Sequence, residues 1–160
     1  MKINTDGSSQ GNPGHAGIGA RGRSNDGGAV FLFSIYKGQH SNNLMEALAI
    51  KIAIERGCSL GWKKIISESD SQIVVDMLNN QSLEDVTWKL ASLAKKILSL
   101  CSLLDSVSFR HIPREWNRVA DCLAKWALEN QRRWDISGRD ELPFEYRGIV
   151  EQLLLEDRNM

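Results

Sequence analysis

Four carboxylates, Asp6, Glu46, Asp70 and Asp121, stand where ordinary solvation does not account for them. Asp6 closes a short alternating run (residues 2–6) at the mouth of a Gly-rich stretch, and Asp70 closes a second run (63–69). Ligand sites in sheets with helices on their faces gather just past the carboxyl ends of strands. Glu46 lies in a helical pattern. Ala49 and Ile50 follow it on its own face, whereas Lys51 and Glu55 mark the solvated side. An acid on an inward face is costly unless paired or bound to a cation. Taken singly, each has an ordinary reading: Asp6 as a turn residue, Asp70 as a helix N-cap, Asp121 as an exposed partner of Arg118 or Lys125, and Glu46 as an acid favoured by the helix dipole. Together they occupy two strand ends, a helix face and a helix start, which can converge on one edge of a sheet. Four such groups would raise one another's pKa unless cations neutralised them. Hard oxygen ligands suit two Mg²⁺ ions, with Mn²⁺ as a substitute, and not zinc. Such a pair, ~3.5–4 Å apart, can generate an attacking hydroxide and stabilise the leaving oxygen of a phosphodiester.

The surrounding pattern predicts the elements that must hold these acids. Strands are expected at 2–6, 16–24 and 28–36, the last two joined by the hairpin signal Asn25-Asp26-Gly27-Gly28. A helix runs from Asn43 to about Arg56, with Gly57 as its C-terminal cap. There follow a strand at 63–69, a short helix at 72–79, a helix at 85–100, a strand at 106–111 and a last helix from Asn117 to about Arg133. The fold class is therefore α/β, a five-stranded mixed sheet flanked by helices. Residues 1–134 make up this catalytic domain. Residues 135–160 form a C-terminal extension with one added helix near 149–155.

Size and composition agree with one soluble domain. The chain has 160 residues, 42% hydrophobic and 25% charged, with 20 basic and 20 acidic side chains in balance. A nuclease that holds metals with carboxylates needs no overall basic excess, so the balance does not exclude nucleic acid. Cys58, Cys101 and Cys122 lack C-x-x-C spacing, which argues against a zinc knuckle or a disulfide framework and for a reducing compartment. No apolar run approaches the ~20 residues of a membrane span. The chain is expected to be intracellular, in nucleus or cytoplasm, monomeric, without a membrane partner, and cut from a longer polypeptide.

The segments Asp6-Gly7-Ser8-Ser9-Gln10-Gly11-Asn12-Pro13-Gly14, Asn42-Asn43-Leu44-Met45-Glu46, Ser69-Asp70-Ser71-Gln72, and His111 with Asn117-Arg118-Val119-Ala120-Asp121 resemble those of type 1 ribonucleases H. The resemblance is closest to plant retroelement-derived domains and covers residues 3–133. It implies the ribonuclease H-like fold and an endonuclease that hydrolyses the RNA strand of RNA–DNA hybrids, leaving 5′-phosphate and 3′-hydroxyl ends. It assigns metal binding to Asp6, Glu46, Asp70 and Asp121. It gives His111, ten positions before Asp121, a part in activating water or releasing product. It places Gly11, Asn12, Asn42, Asn43, Ser71 and Gln72 at the hybrid, where amide and backbone groups can read 2′-hydroxyls, and Asn117 near the active site as a further contact.

The chain departs from the family in three places. Leu44 stands where relatives often carry a basic residue, and Arg118 where some carry an acid. Only Asn80-Gln81-Ser82-Leu83-Glu84 separates two helices that elsewhere flank a basic, Trp-rich protrusion, so hybrid binding is expected to be weaker or assisted by another domain. Arg114, Arg118, Lys95, Lys96 and Lys125 are candidates for phosphate contact. Trp116, Trp126 and Trp88 are expected mainly to pack. A related polynucleotidyl transferase and a catalytically silent binding module are the competing readings.

Overall fold

The computed structural model describes residues 1–137 together with Gly148 and Glu151. Its elements are β1 (Lys2–Gly11), β2 (Gly14–Arg23), β3 (Ala29–His40), α1 (Asn42–Ser59), β4 (Lys64–Ser69), α2 (Gln72–Asn80), α3 (Trp88–Cys101), β5 (Ser106–His111), a 3-10 turn (Arg114–Trp116), α4 (Arg118–Asn130) and β6 (Arg133–Ser137). One mixed sheet has the order β5-β4-β1-β2-β3-β6. β1 runs parallel to β4 and β4 to β5, while β1, β2, β3 and β6 alternate in direction.

Two corrections concern the ends of elements near the site. β1 does not stop at Asp6. It stays paired with β2 from Lys2↔Arg23 to Gly11↔Gly14, so Gly7, Ser8 and Ser9 belong to the strand despite weak strand propensity. The ladder with β2 overrides the local preference. Gly7 serves another end: a Cβ there would lie 2.5 Å from the backbone of Met45 and Glu46, so only glycine lets α1 approach β1 this closely. Gly57 likewise lies inside α1, where Ile65 and Trp62 crowd it, and Gly61 (φ +80°) makes the left-handed turn beyond the helix.

Among the described residues the sheet has six strands, not five. α4 ends at Asn130, with Gln131 in the left-handed conformation, and the chain returns as β6 along β3. The expected boundary after residue 134 therefore falls inside a strand. Ile136 is buried with Leu32, Val119, Leu123 and Trp126, and Asp135 pairs with Arg56 of α1. The added helix expected at 149–155 falls, but for Glu151, outside the described residues.

The alternation Phe31-Leu32-Phe33 sends successive side chains to opposite faces. Phe31 and Phe33 join Ile3, Ile18, Met45, Ile50 and Ala53 under α1, while Leu32 packs beneath α4. The apolar run of β3 is thus a strand covered on both sides. Among the described residues no helix is long and apolar enough to cross a membrane.

Candidate active site

Three of the four acids meet. Ligand oxygens of Asp6, Glu46 and Asp70 lie within 4.8 Å of one another. The parallel register brings Thr5 opposite Ser69, so Asp6 and Asp70 emerge side by side from neighbouring strands. Asp6 is mid-strand with respect to β2, where it faces Gly19, but just past the last partner on β4. Glu46 descends from the first turns of α1, 8% exposed. Its helix is started by the Ser41 hydroxyl, which accepts from Leu44 N. The N-cap of α2 is Ser71 and not Asp70, so Asp70 is released from the capping role open to it in the sequence.

The electrostatics of the cluster are those of a site built for a cation. Burial pushes the Asp6 carboxyl well above the usual carboxylate range, and the charges of Glu46, Asp70 and Asp121 add to the effect. Burial likewise pushes Glu46 up to about 8, against hydrogen bonds from Asp6, the Gly7 backbone and Ser69. Asp70 is raised by desolvation and partly held down by a hydrogen bond from Asp6 and by the Arg114 charge. Burial and mutual repulsion thus raise the proton affinity of the three carboxylates together. One oxygen, Glu46 Oε2, is buried without a hydrogen-bond partner, an arrangement that normally costs free energy unless something binds there. Hard oxygens, close approach and an orphaned acceptor fit a divalent cation of the Mg²⁺ type.

Asp121 stands at the rim, one turn into α4. Lys125 Nζ lies 3.0 Å from one of its oxygens and Arg114 Nη2 3.4 Å from the other. It is not among the three acids that approach within 4.8 Å, yet its charge reaches Asp6 and Asp70. His111 is exposed at the end of β5, where its Cα partner is Ser69, the residue before Asp70. Trp116, expected to pack, is 60% exposed, and Trp88 is 77% exposed, whereas Trp126 is buried.

The expected substrate contacts divide into two groups. Gly11 (φ +96°), Asn12, Asn42 and Asn43 gather where the β1–β2 turn meets the start of α1, with Asn12 Oδ1 accepting from Asn42 N at 3.2 Å. Ser71 and Gln72 open α2. Ser71 caps that helix, and exposed Gln72 donates to Asp76 at 2.7 Å. Asn117 is a correction: it is 1% exposed, donates to the Thr5 carbonyl at 2.8 Å and accepts from Asn4 at 3.4 Å, so its amide is committed inside the protein. Sequence reasoning passed over Asn4 and Glu68. The available signal was period-2 alternation, which sets them on the same strand faces as Asp6 and Asp70.

The profile of the family described as "Reverse transcriptase-like" matches residues 4–127. Ribonuclease HI of Halobacterium salinarum is 35% identical over 130 residues, which cover 78% of this chain and 62% of that protein. The crystal structure of RNase H1 from the same organism superposes with a TM-score of 0.76 at 33% identity, covering 81% of this chain and 97% of that one. LC11-RNase H1, isolated from compost by a metagenomic approach and solved in complex with an RNA/DNA hybrid, gives 0.76 at 30% identity, covering 81% and 97%. The bifunctional protein Rv2228c of Mycobacterium tuberculosis is 29% identical over 133 residues, 79% of this chain and 35% of that protein. The chain thus spans less than two thirds of the length of these curated relatives.

Proposed function

Since the chain belongs to the reverse transcriptase-like family and is similar over most of its length to ribonucleases H1, we propose that it hydrolyses the RNA strand of RNA–DNA hybrids, leaving 5′-phosphate and 3′-hydroxyl ends. One observation carries this reading: the three-acid cluster, one of whose oxygens, Glu46 Oε2, is buried without a hydrogen-bond partner. Asp6, Glu46, Asp70 and Asp121 would hold two divalent ions, Mg²⁺ with Mn²⁺ as substitute. When bound, such ions supply charge stabilisation at the attacked phosphate and make water a better nucleophile at neutral pH.

The chain's own groups do the rest. Burial and its acidic neighbours raise the proton affinity of Asp6, and bound cations would lower it again. Asp121, paired with Lys125 and Arg114 at the rim, would exchange those partners for a divalent ion held together with the cluster. His111, exposed beside the strand that ends in Asp70, takes or delivers a proton at the edge of the site. Gly11, Asn12, Asn42, Asn43, Ser71 and Gln72 offer backbone and amide groups along the neighbouring surface, where a 2′-hydroxyl distinguishes RNA from DNA.

LC11-RNase H1 is a relative solved with a hybrid, and that supports the substrate class. The length of the curated relatives supports a second element: the domain works joined to others, which make good the missing basic protrusion. The Asn42-Asn43 pair before Glu46 and the His111–Asp121 spacing argue against a related polynucleotidyl transferase, and the closeness to plant retroelement-derived domains rests on the resemblance of the motifs alone. We place its work in the nucleus or cytoplasm, as a monomer.

The test is direct. Labelled RNA–DNA hybrid, duplex DNA and duplex RNA are incubated with the protein in Mg²⁺, Mn²⁺ or EDTA, with Asp70→Asn as control. Cleavage is expected of RNA in the hybrid alone, and its loss with EDTA and with the variant. Equal cutting of duplex DNA would point to a polynucleotidyl transferase. Tight binding without cutting would point to a silent module.

A further inference from the structure

An asparagine at the cap position of a helix ordinarily turns its side chain to the helix's own free N–H groups. Asn117 does not cap α4. Its amide instead donates to the Thr5 carbonyl at 2.8 Å, the peptide group that leads into Asp6. Its oxygen accepts from Asn4 Nδ2 at 3.4 Å. Asn4 is 2% exposed and lies on the β1 face that carries Asp6.

Every polar atom of Asn4 is used. The same Nδ2 donates to Glu68 Oε1 at 3.2 Å, and Glu68 is the Cα partner of Asn4 on β4, two residues before Asp70. Asn4 Oδ1 accepts from Arg23 Nη2 at 2.7 Å, and that guanidinium also bonds Glu68 at 3.2 Å. Lys2 stands 3.7 Å from the second oxygen of Glu68. Arg23, which can only donate, fixes which end of the Asn4 amide is oxygen, so the network has one consistent assignment. One buried amide therefore touches the supports of three acids. Asp6 follows along β1 and Asp70 along β4. Asp121 lies on α4, where its N–H bonds the Asn117 carbonyl at 3.1 Å.

We infer that Asn4 is a positioning residue: through Asn117 it sets where Asp121 stands relative to the Asp6–Glu46–Asp70 cluster, and so governs how tightly the second of two divalent ions is held. The inference rests on the two-ion reading above. Asp6, Glu46 and Asp70 already converge without help from α4. Asp121 is the acid whose distance from them depends on how α4 is seated, and the Asn4–Asn117–Thr5 link seats its first turn. A satisfied buried network of this kind selects one arrangement where packing alone would allow several.

Mn²⁺ binding to the metal-free full chain, followed by electron paramagnetic resonance, tests this in the wild type, Asn4→Ala, Asn117→Ser and the double variant. kcat and KM on hybrid are measured in parallel. The wild type is expected to take up two ions. Both single variants should keep the tighter ion within about twofold and weaken the other by about tenfold or more, the usual range for a group that orients a ligand. kcat should fall about tenfold, KM for the hybrid should move less than about twofold, and added Mn²⁺ should recover kcat. The double variant should be no worse than the poorer single, because both cut the same link. Serine at 117 is free to cap α4, so that variant is expected to stay folded even if Asn4→Ala does not. Unchanged affinity for both ions in a folded variant overturns the inference, whatever the melting temperature does; so does a kcat loss that Mn²⁺ cannot recover. A wild type that cuts hybrid but binds one ion also overturns it while leaving the nuclease reading intact. A wild type that neither cuts nor binds two ions removes both.

Discussion

Thr5 and Ser69 are the last Cα partners in the parallel pairing of β1 with β4, and each is followed at once by a carboxylate. Backbone register, not side-chain flexibility, thus brings Asp6 and Asp70 together. Because both belong to one carboxylate cluster, their losses should overlap. Asp6→Asn and Asp70→Asn are each expected to lower hybrid cleavage by about 10³-fold or more, corresponding to several kcal/mol of charge stabilisation. The double variant should be little worse than either single. Single-turnover cleavage measures all three, and fully multiplicative losses would show that the two acids act in separate places.

The same substitution should have the opposite sign on stability. Folding raises the proton affinity of Asp6 and Glu46, and burial is the main cause. A group whose pKa is higher in the folded state favours folding most at low pH, and that advantage is lost as pH rises. For Glu46 the window runs from the ordinary 4.5 to about 8. The metal-free protein should therefore melt lower at pH 8 than at pH 5, by roughly several degrees. Mg²⁺ should recover the difference at pH 8, with proton release on binding near pH 7. Asp6→Asn should flatten the pH dependence and raise the melting temperature at pH 8. A metal-free protein equally stable at both pH values would mean that the acids are better solvated than their burial implies.

What could be read from the sequence was whatever local periodicity decides. The inward face of Glu46 follows from the helical spacing of Ala49, Ile50 and Ala53, and the structure buries it. The order of strands and helices through β5 follows from alternation and turn residues. Long-range choices could not be read. Gly7-Ser8-Ser9 looks like a turn because its propensity is poor, and only the β2 ladder makes it strand. β6 is hidden because Arg133 and Trp134 continue a helical pattern, and only the open edge of β3 recruits them into the sheet. Asn117 looks like a cap or a contact, and it turns inward only because Asn4 and Thr5, more than a hundred residues away, receive it. The ion pairing of Asp121 with Lys125 is visible as i,i+4 spacing, whereas its place at the rim, outside the three acids that meet, is set by the seating of α4 and has no local signal.

Gly7 carries a prediction that separates packing from chemistry. A methyl group there meets the backbone of Met45 and Glu46 at 2.5 Å, and backbone cannot rotate away as a side chain can. Gly7→Ala must therefore push α1 off β1 and carry Glu46 with it. Overpacking of this kind costs roughly 1–3 kcal/mol, and a displacement of about 1 Å at a catalytic group costs about 10²-fold in rate. Urea denaturation and hybrid cleavage should show both losses together. A variant that loses stability but cleaves at the wild-type rate would mean that Glu46 need not be held in place.

Arg114 is the cation poised over the acids. Its guanidinium lies 3.4 Å from Asp121 Oδ1 while its side chain is 69% exposed, and Asp6 and Asp70 also act on its charge. In the metal-free protein it helps to neutralise the cluster. Once divalent ions take over that role its partner is gone, and the nearest anion of a bound hybrid is a backbone phosphate. Arg114→Ala is therefore expected to raise KM for the hybrid about fivefold or more. It should also reduce the slope of log affinity against log salt by about one, the signature of one lost phosphate contact. Mn²⁺ affinity in the absence of hybrid should rise or stay level, since a competing cation has been removed. Fluorescence anisotropy across a salt series measures the slope, and an unchanged slope would confine Arg114 to its pairing with Asp121.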